Sequence, residues 1–220
     1  MAANLQSGIF AKITIGASTL LAGASEFSCS GAVRGTIEAS EFGQDCKRFC
    51  EGDADPGTIS IPNLIFDPHD AVQKAFVDAL KNRTRYYRST PTTGLRFWLS
   101  DTSFLDLPTT AGAFLFATKA NDVSTGMNAL AKCSVELKIS GGFMELIKEY
   151  TVDGAVAAID TTIDVSPAID LGTPQTGSLF IGAEEYAYAS WTGSTFTLGA
   201  ACGDIIADNA VVRVAETTTP

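Results

Sequence analysis

The chain has 220 residues, of which 45% are hydrophobic and 18% are charged, and this balance indicates a globular protein with a sizeable core. Its net charge of -10 argues against general binding to the nucleic-acid backbone, which requires clustered Lys and Arg side chains. The sequence contains no run of about 18 uncharged apolar residues, so it predicts no membrane span.

The segment at residues 9–15 alternates between apolar and polar side chains, which favours a half-buried strand over a signal peptide. Further predicted strands of the first part of the chain cover about 26–39 with a break at Gly31, 57–66, 94–100, 112–119 and 131–139. The first 150 residues are therefore predicted to be mainly β.

One amphipathic helix is predicted at about 68–81. Asp67 is expected to cap it, with Pro68 at the first helical position and Asp70 in the first turn. The apolar residues that follow at helical spacing are Val72, Ala75, Phe76, Ala79 and Leu80. A single helix in a β-rich domain must cover the face or the edge of a sheet.

His69 is the only histidine of the chain and lies between two acidic residues. General acid–base chemistry needs a partner and a cleft, and the capping of the helix already accounts for Asp67 and Asp70. We therefore interpret His69 as a surface residue. The sequence also lacks the common nucleotide-binding, hydrolase and metalloprotease motifs, so we predict no enzyme activity and no cofactor.

The five cysteines are odd in number and scattered, which is typical of a reducing compartment rather than of a disulfide framework. Cys46 and Cys50 lie four positions apart, but a structural zinc site needs four ligands and no second pair is present. We predict no metal site and interpret the pair as reduced thiols. A local disulfide formed after release from the cell is the alternative.

Residues 151–220 differ in character, because they contain nine acidic residues and a single basic one, whereas residues 1–150 contain 14 basic and 16 acidic residues. Short alternating stretches joined by Gly, Pro and Ser turns predict a small all-β module here. We therefore predict two domains, residues 1–150 and 151–220. Tyr188 and Trp191 are candidate surface aromatics for binding glycans, although their alternation with alanine favours packing within a sheet.

Four segments of the chain follow one another in a distinctive order. Residues 36–80 hold a polar loop, the turn and strand "DPGTISI" and the helix start "DPHD", and "TGLRFWLSD", "GAFLFATKAND" and "AKCSVELKISG" follow. This serial order resembles the major tail tube proteins of long-tailed bacteriophages, over about residues 8–143. It implies a β-sandwich or barrel with one flanking helix, to which the C-terminal β module is appended on the exterior.

The resemblance also implies a function. Such proteins form hexameric rings that stack into the tail tube of the virion, through which DNA leaves without tight binding. The expected partners are other copies of the chain and the tape measure, tail tip and terminator proteins, with no membrane involved. Synthesis and assembly are expected in the cytoplasm of the bacterial host.

The contact residues implied by the resemblance lie in the predicted loop at residues 40–56. Its candidates for contacts between subunits and stacked rings are Phe42, Arg48, Phe49 and Asp53. Phe104 and Leu105 in "DTSFLDLPTTAG" form a second candidate interface. A solvated surface loop is the plainer interpretation, but two aromatic residues in so polar a segment favour a contact.

Two other functions remain open from the sequence. A tube of a related secretion system would form rings as well, although the acidic second domain would be unusual there. A glycan- or surface-binding β module of a phage particle would be a monomer, and its candidate binding residues are Tyr188 and Trp191.

Overall fold

A computed structural model gives the structure of the chain. It describes residues 12–15, 19–21, 24, 26–31, 33–38, 49–88, 93–100, 102–108, 112–120, 123–125 and 129–218. The described chain is mainly β with one helix, which confirms that part of the predicted fold class.

Seventeen strands and one helix follow in chain order. They are β1 (Lys12–Ile15), β2 (Thr19–Leu20), β3 (Ser28–Cys29), β4 (Val33–Glu38), β5 (Phe49–Asp55), β6 (Thr58–Ile65), α1 (Ala71–Asn82), β7 (Arg85–Tyr86), β8 (Leu95–Trp98), β9 (Ser103–Asp106), β10 (Phe114–Lys119), β11 (Lys132–Ser140), β12 (Glu145–Val152), β13 (Thr162–Ser166), β14 (Gly177–Ile181), β15 (Glu184–Thr192), β16 (Thr195–Leu198) and β17 (Val211–Thr218).

The chain divides into two compact units that do not follow the chain order. Unit 1 contains residues 1–17, 89–106 and 145–219, and unit 2 contains residues 18–88 and 107–144. The predicted division near residue 150 therefore differs from the observed one, and it falls inside strand β12. Each unit is held together by pairing between strands that lie far apart in the sequence. The composition along the chain does not reveal such pairing.

Unit 2 contains an antiparallel sheet in the order β3-β6-β11-β10-β7. The long central strands β6 and β11 pair over most of their length, whereas β3 and β7 at the two edges have only two residues each. Alternate residues of β11 are buried, including Val135 and Leu137, as expected for a sheet with one covered face. This sheet has two open edges that its own short strands protect only in part.

Helix α1 begins three residues later than predicted. Asp70 is the N-cap and accepts a hydrogen bond from the Gln73 amide at 2.8 Å. Asp67 is not the cap, because its carboxylate accepts a hydrogen bond from the His69 amide at 2.8 Å and so closes a turn before the helix. Pro68 lies in that turn instead of at the first helical position.

One face of α1 is buried. Val72, Phe76 and Ala79 form this face, as the helical spacing predicts, whereas Leu80 is 39% exposed. Phe76 contacts the ring of Tyr86 edge to face at a centroid distance of 6.1 Å. The helix has 12 residues, and none of the described helices is long and apolar enough to cross a membrane.

Unit 1 contains a six-stranded antiparallel barrel. Strands β12, β13, β16, β15, β14 and β17 follow one another around it, and the pairing of β12 with β13 closes the circle. Gly182 and Gly193 have φ angles of 64° and 62° in the tight turns on either side of β15, a conformation that glycine adopts without strain. Every barrel strand therefore has a neighbour on both sides.

Strand β12 belongs both to the barrel and to a second part of the sheet. Its first half, Glu145–Lys148, pairs with β9, and β9 leads on to β8 and β1. On its other edge β12 pairs with β17 over Glu145–Thr151. One strand thus continues without a break from the β1-β8-β9 sheet into the barrel.

The core of the barrel is apolar and includes several aromatic rings. The ring of Phe196 is fully buried, with its centroid 5.0 Å from that of Tyr188 and 6.1 Å from that of Tyr150. Ile163, Leu179, Val212 and Val214 are also fully buried in this cluster.

Candidate functional site

Strands β4 and β5 of unit 2 form a hairpin that belongs to neither larger sheet among the described residues. Among the described residues, these two strands pair only with each other, with Val33 opposite Asp55 and Glu38 opposite Phe49. Val33 is 66% exposed, and Asp53 is exposed as well. A hairpin without a flanking strand offers backbone hydrogen-bonding groups along both of its outer edges.

The base of this hairpin is fixed to the sheet by hydrogen bonds. The Ser30 amide donates to the Thr58 carbonyl at 2.8 Å, and the Thr58 amide donates to the Ser30 hydroxyl at 2.7 Å. Gly57 between the hairpin and β6 has a φ of 106°, and a Cβ atom there would lie 2.2 Å from the Ser30 carbonyl oxygen. Only glycine therefore fits where the chain turns from β5 into β6.

A charged contact strengthens the same base. The Asp55 carboxylate accepts a hydrogen bond from the Gly57 amide at 2.9 Å. It also forms an ion pair with the Lys138 ammonium at 2.5 Å. These two interactions lower the pKa of Asp55, the Lys138 hydrogen bond being the larger cause. The hairpin is thus anchored at one end by β11, through Lys138.

A hollow of about 550 Å³ lies beside this base and is lined by the end of β5 and the end of β11. Its lining includes Asp53, Asp55 and Lys138, with Phe143, whose side chain is 38% exposed. It combines charge with exposed aromatic surface, as contact regions between proteins do.

The predicted contact residues around the hairpin are only partly described. Phe42 and Arg48 lie outside the described residues, and so does the side chain of Phe49, whose backbone belongs to β5. Asp53 is exposed on β5. The prediction of a loop throughout residues 40–56 is wrong for residues 49–55, because cross-strand pairing with β4 makes them a strand.

The second candidate interface is not on the surface of the chain. Phe104 and Leu105 lie in β9, where their side chains are 0% and 8% exposed. Phe104 packs against Trp98 at a centroid distance of 4.7 Å. Their burial within unit 1 leaves almost no side-chain surface for another subunit.

The candidate glycan-binding aromatics are also buried. Tyr188 is 3% and Trp191 is 9% exposed, and both belong to the barrel core. The Tyr188 hydroxyl and the Trp191 indole N–H each donate a hydrogen bond to the Pro174 carbonyl, at 3.0 and 2.9 Å. Because both rings face inward, they offer no stacking platform to a sugar, and the packing interpretation of these residues is the correct one.

The remaining predicted residues have plain structural settings. His69 is exposed. Cys46 and the side chain of Cys50 lie outside the described part of the chain, while Cys29, Cys133 and Cys202 are free thiols. Within that part, no three His, Cys, Asp or Glu side chains are placed to hold a metal ion.

A buried ion cluster in unit 1 escaped the sequence analysis. The Arg96 side chain is 1% exposed and its guanidinium lies 3.2 Å from the Glu149 carboxylate, which also accepts a hydrogen bond from Arg213 at 2.9 Å. Burial lowers the pKa of Arg96, as does the charge of Arg213, whereas Glu149 and Asp106 raise it. Nothing in the sequence distinguishes these charged residues from surface ones.

Comparison with known proteins assigns no family to the chain. Its sequence matches no protein-family profile, and no curated protein is similar to it.

Proposed function

We propose that the chain is a structural protein of the virion that self-assembles into hexameric rings, which stack as the tail tube of a long-tailed bacteriophage. The observation that carries this proposal is the β4–β5 hairpin, whose two strands pair only with each other among the described residues. Free strand edges on a folded chain are templates for pairing with another chain.

The anchoring of the hairpin supports the same function. Ser30, Gly57 and Asp55 fix its base to the sheet, so that the hairpin is held ready and loses little conformational freedom when it meets a second copy. Pre-organised contact elements of this kind suit an assembly built from many identical subunits.

The charge of the chain fits a conduit for DNA. With a net charge of -10, it has little capacity to hold phosphates by counterion release, so DNA passes without tight binding. In this proposal the acidic C-terminal residues 151–220 lie on the exterior of the tube. Tape measure, tail tip and terminator proteins are the further partners.

Electron microscopy of the purified full-length chain tests this function. We expect negatively stained samples at rising concentration to contain rings or hollow tubes, and light scattering to report masses that are multiples of the chain mass. The matched variant replaces residues 35–53 by a short Gly-Ser turn, which removes the hairpin and leaves Asp55 and Gly57 in place.

The hairpin-deleted variant is expected to remain folded by circular dichroism and to form no rings. Rings formed equally well by this variant would show that the hairpin is not the contact. A full-length chain that stays monomeric at every concentration would contradict self-assembly altogether.

A further inference from the structure

A groove of about 510 Å³ lies at the C-terminal end of α1, within unit 2. We call it the helix-end groove. Its lining includes Leu80, Arg83, Arg85, Phe114, Phe116 and Ala117. The groove thus combines the end of the helix, the short edge strand β7 and the start of β10.

The groove presents apolar surface to solvent. Leu80 at its rim is 39% exposed, although it belongs to an otherwise well-packed helix. The Arg85 guanidinium lies over the Phe114 ring at 4.3 Å from its centroid, which keeps the charge at the edge of the apolar floor. Tyr87 beyond it is 54% exposed and contacts Phe114 at 6.3 Å between ring centroids.

No acidic partner for the cations of the groove lies among the described residues. Across the described parts of the chain, the Arg83 and Arg85 side chains make no hydrogen bond and no ion pair, and both are exposed. In a chain with a net charge of -10, two neighbouring cations beside exposed apolar side chains form the natural place for an acidic partner.

In the part of the chain that the structure describes, the sheet edge beside the groove is only partly covered. Strand β7 pairs with β10 only at Leu115 and Phe116, so it covers two of the six residues of that strand. A further strand could extend the sheet at this edge by backbone hydrogen bonds.

Strand β5 has the chemistry that such a place requires. Its sequence, Phe49–Asp55, contains three acidic residues and no basic one. Asp53 is exposed and makes no side-chain hydrogen bond or ion pair within the described residues. One edge of β5 pairs with β4, and its other edge pairs with none of the described strands.

We propose that the helix-end groove receives strand β5 of a second copy of the chain, whose exposed Asp53 pairs with Arg83 and Arg85 while the strand extends the β10 edge. The contact is heterologous, since hairpin and groove are different surfaces of the chain, and repetition of it generates a closed ring or an open stack. The inference rests on the proposed function and names the partner surface of the hairpin.

Charge reversal of both surfaces tests this contact in the full-length chain. The groove variant is Arg83→Glu with Arg85→Glu, and the hairpin variant is Asp53→Lys. Sedimentation equilibrium should show that each raises the dissociation constant of self-association at least about tenfold, because an attractive contact becomes repulsive. The combination of all three substitutions should recover part of that loss.

The matched control is Lys74→Glu with Lys132→Glu, which makes the same change of net charge at two exposed lysines outside the groove. Its dissociation constant should stay within about twofold of that of the unmodified chain, because screening weakens interactions between distant exposed charges. Thermal unfolding of every variant shows whether it is folded. Asp53→Lys still tests the contact if the groove variant does not fold.

The outcomes separate this inference from the proposed function. Self-association of the groove or hairpin variant at the strength of the unmodified chain would overturn the inference and leave tube assembly standing, as would an equal loss in the lysine control. Charge-sensitive growth into open oligomers without rings would support the inference and count against the tube. A chain that is monomeric at all concentrations would overturn both.

Discussion

The barrel of unit 1 and the five-stranded sheet of unit 2 are both antiparallel, yet they treat their strand edges differently. In the barrel, the pairing of β12 with β13 closes the circle and leaves no edge strand. In unit 2, the sheet ends at two strands of two residues each, and the β4–β5 hairpin belongs to no larger sheet among the described residues.

This difference suggests that the barrel contributes mainly to stability and the open sheet with its hairpin mainly to interaction. A closed barrel satisfies its backbone within the chain, so it needs no partner to be complete. An open sheet with a free hairpin leaves donors and acceptors available to another molecule. We therefore expect substitutions in the barrel to act on the free energy of unfolding, and substitutions around the hairpin and the helix-end groove to act on association.

The largest effect is expected in the barrel core. Phe196→Ala should lower the free energy of unfolding by about 4 kcal/mol, because the fully buried ring packs against Tyr150 and Tyr188 and its removal leaves a cavity. Urea unfolding followed by tryptophan fluorescence measures it, since both tryptophans of the chain lie in unit 1. The control Ile159→Ala, at a side chain that is 83% exposed, should change it by less than about 0.5 kcal/mol.

A similar loss for Ile159→Ala and Phe196→Ala would break the comparison, because the barrel core would then not determine the stability of its unit.

The buried ion cluster should give the next largest effect. Glu149→Gln removes the carboxylate that Arg96 and Arg213 share, and it should cost about 3 kcal/mol of unfolding free energy because the Arg96 charge stays buried. Urea unfolding followed by far-UV circular dichroism measures this loss, because tryptophan fluorescence would report on unit 1 alone and the contrasting substitution lies in unit 2. The contrasting substitution in unit 2 is Asp55→Asn, at a side chain that is 51% exposed, and it should change the unfolding free energy much less.

Equal losses of unfolding free energy for Glu149→Gln and Asp55→Asn would contradict this, because the burial of Arg96 would then not increase the contribution of Glu149 to stability.

The next smaller effect is expected at the hairpin base in unit 2. Gly57→Ala should cost about 2 kcal/mol, because the new Cβ would meet the Ser30 carbonyl oxygen in addition to the strain of a φ of 106°. Gly112→Ala is the matched control, since its φ is 95° but the space around it is open, and it should cost about 1 kcal/mol. Thermal unfolding followed by circular dichroism compares the two variants. An equal cost would show that the close approach to Ser30 does not make Gly57 necessary.

The last expected effect is absent at neutral pH, appears only at alkaline pH and concerns one tyrosine in each unit. Burial raises the pKa of Tyr86 to about 12, and the charge of Asp78 adds to this shift. Burial also raises the pKa of Tyr186 to about 12, and its hydrogen bond to Asp204 is the second largest cause. The ordinary pKa of 10.0 applies in the unfolded chain. The stability that each neutral tyrosine contributes is therefore complete below pH 10 and is lost as the pH rises through 12.

Tyr86→Phe and Tyr186→Phe should each weaken this alkaline loss. Unfolding free energies measured between pH 9 and 11.5 in the two variants and the unmodified chain test the sign. A steeper decline in a phenylalanine variant would contradict it.

The single helix shows how far local sequence carries. Its apolar spacing predicts the buried face of Val72, Phe76 and Ala79. Its start was predicted wrongly because Asp67 and Asp70 are both good caps, and the choice depends on a hydrogen bond from the His69 amide that forms only once the preceding turn is in place.

Residues whose setting depends on distant strands could not be predicted. The stretch Phe49–Asp55 lacks apolar alternation and has the composition of a loop, but pairing with β4 makes it a strand. Arg96 resembles a surface residue in the sequence, yet it is buried, and its ion-pair partner Glu149 lies on the distant strand β12. The helix-end groove likewise requires the helix, β7 and β10 to meet, which no short pattern encodes.

The continuity of β12 has a mechanical consequence. Because β17 follows one edge of this strand and β9 and β13 follow the other, tension applied along β12 loads many hydrogen bonds in shear at the same time. A strand held in this way does not peel off one bond at a time, and it transmits force between the β1-β8-β9 sheet and the barrel. These two parts of unit 1 therefore bend as one stiff element, and an assembly that flexes must yield elsewhere.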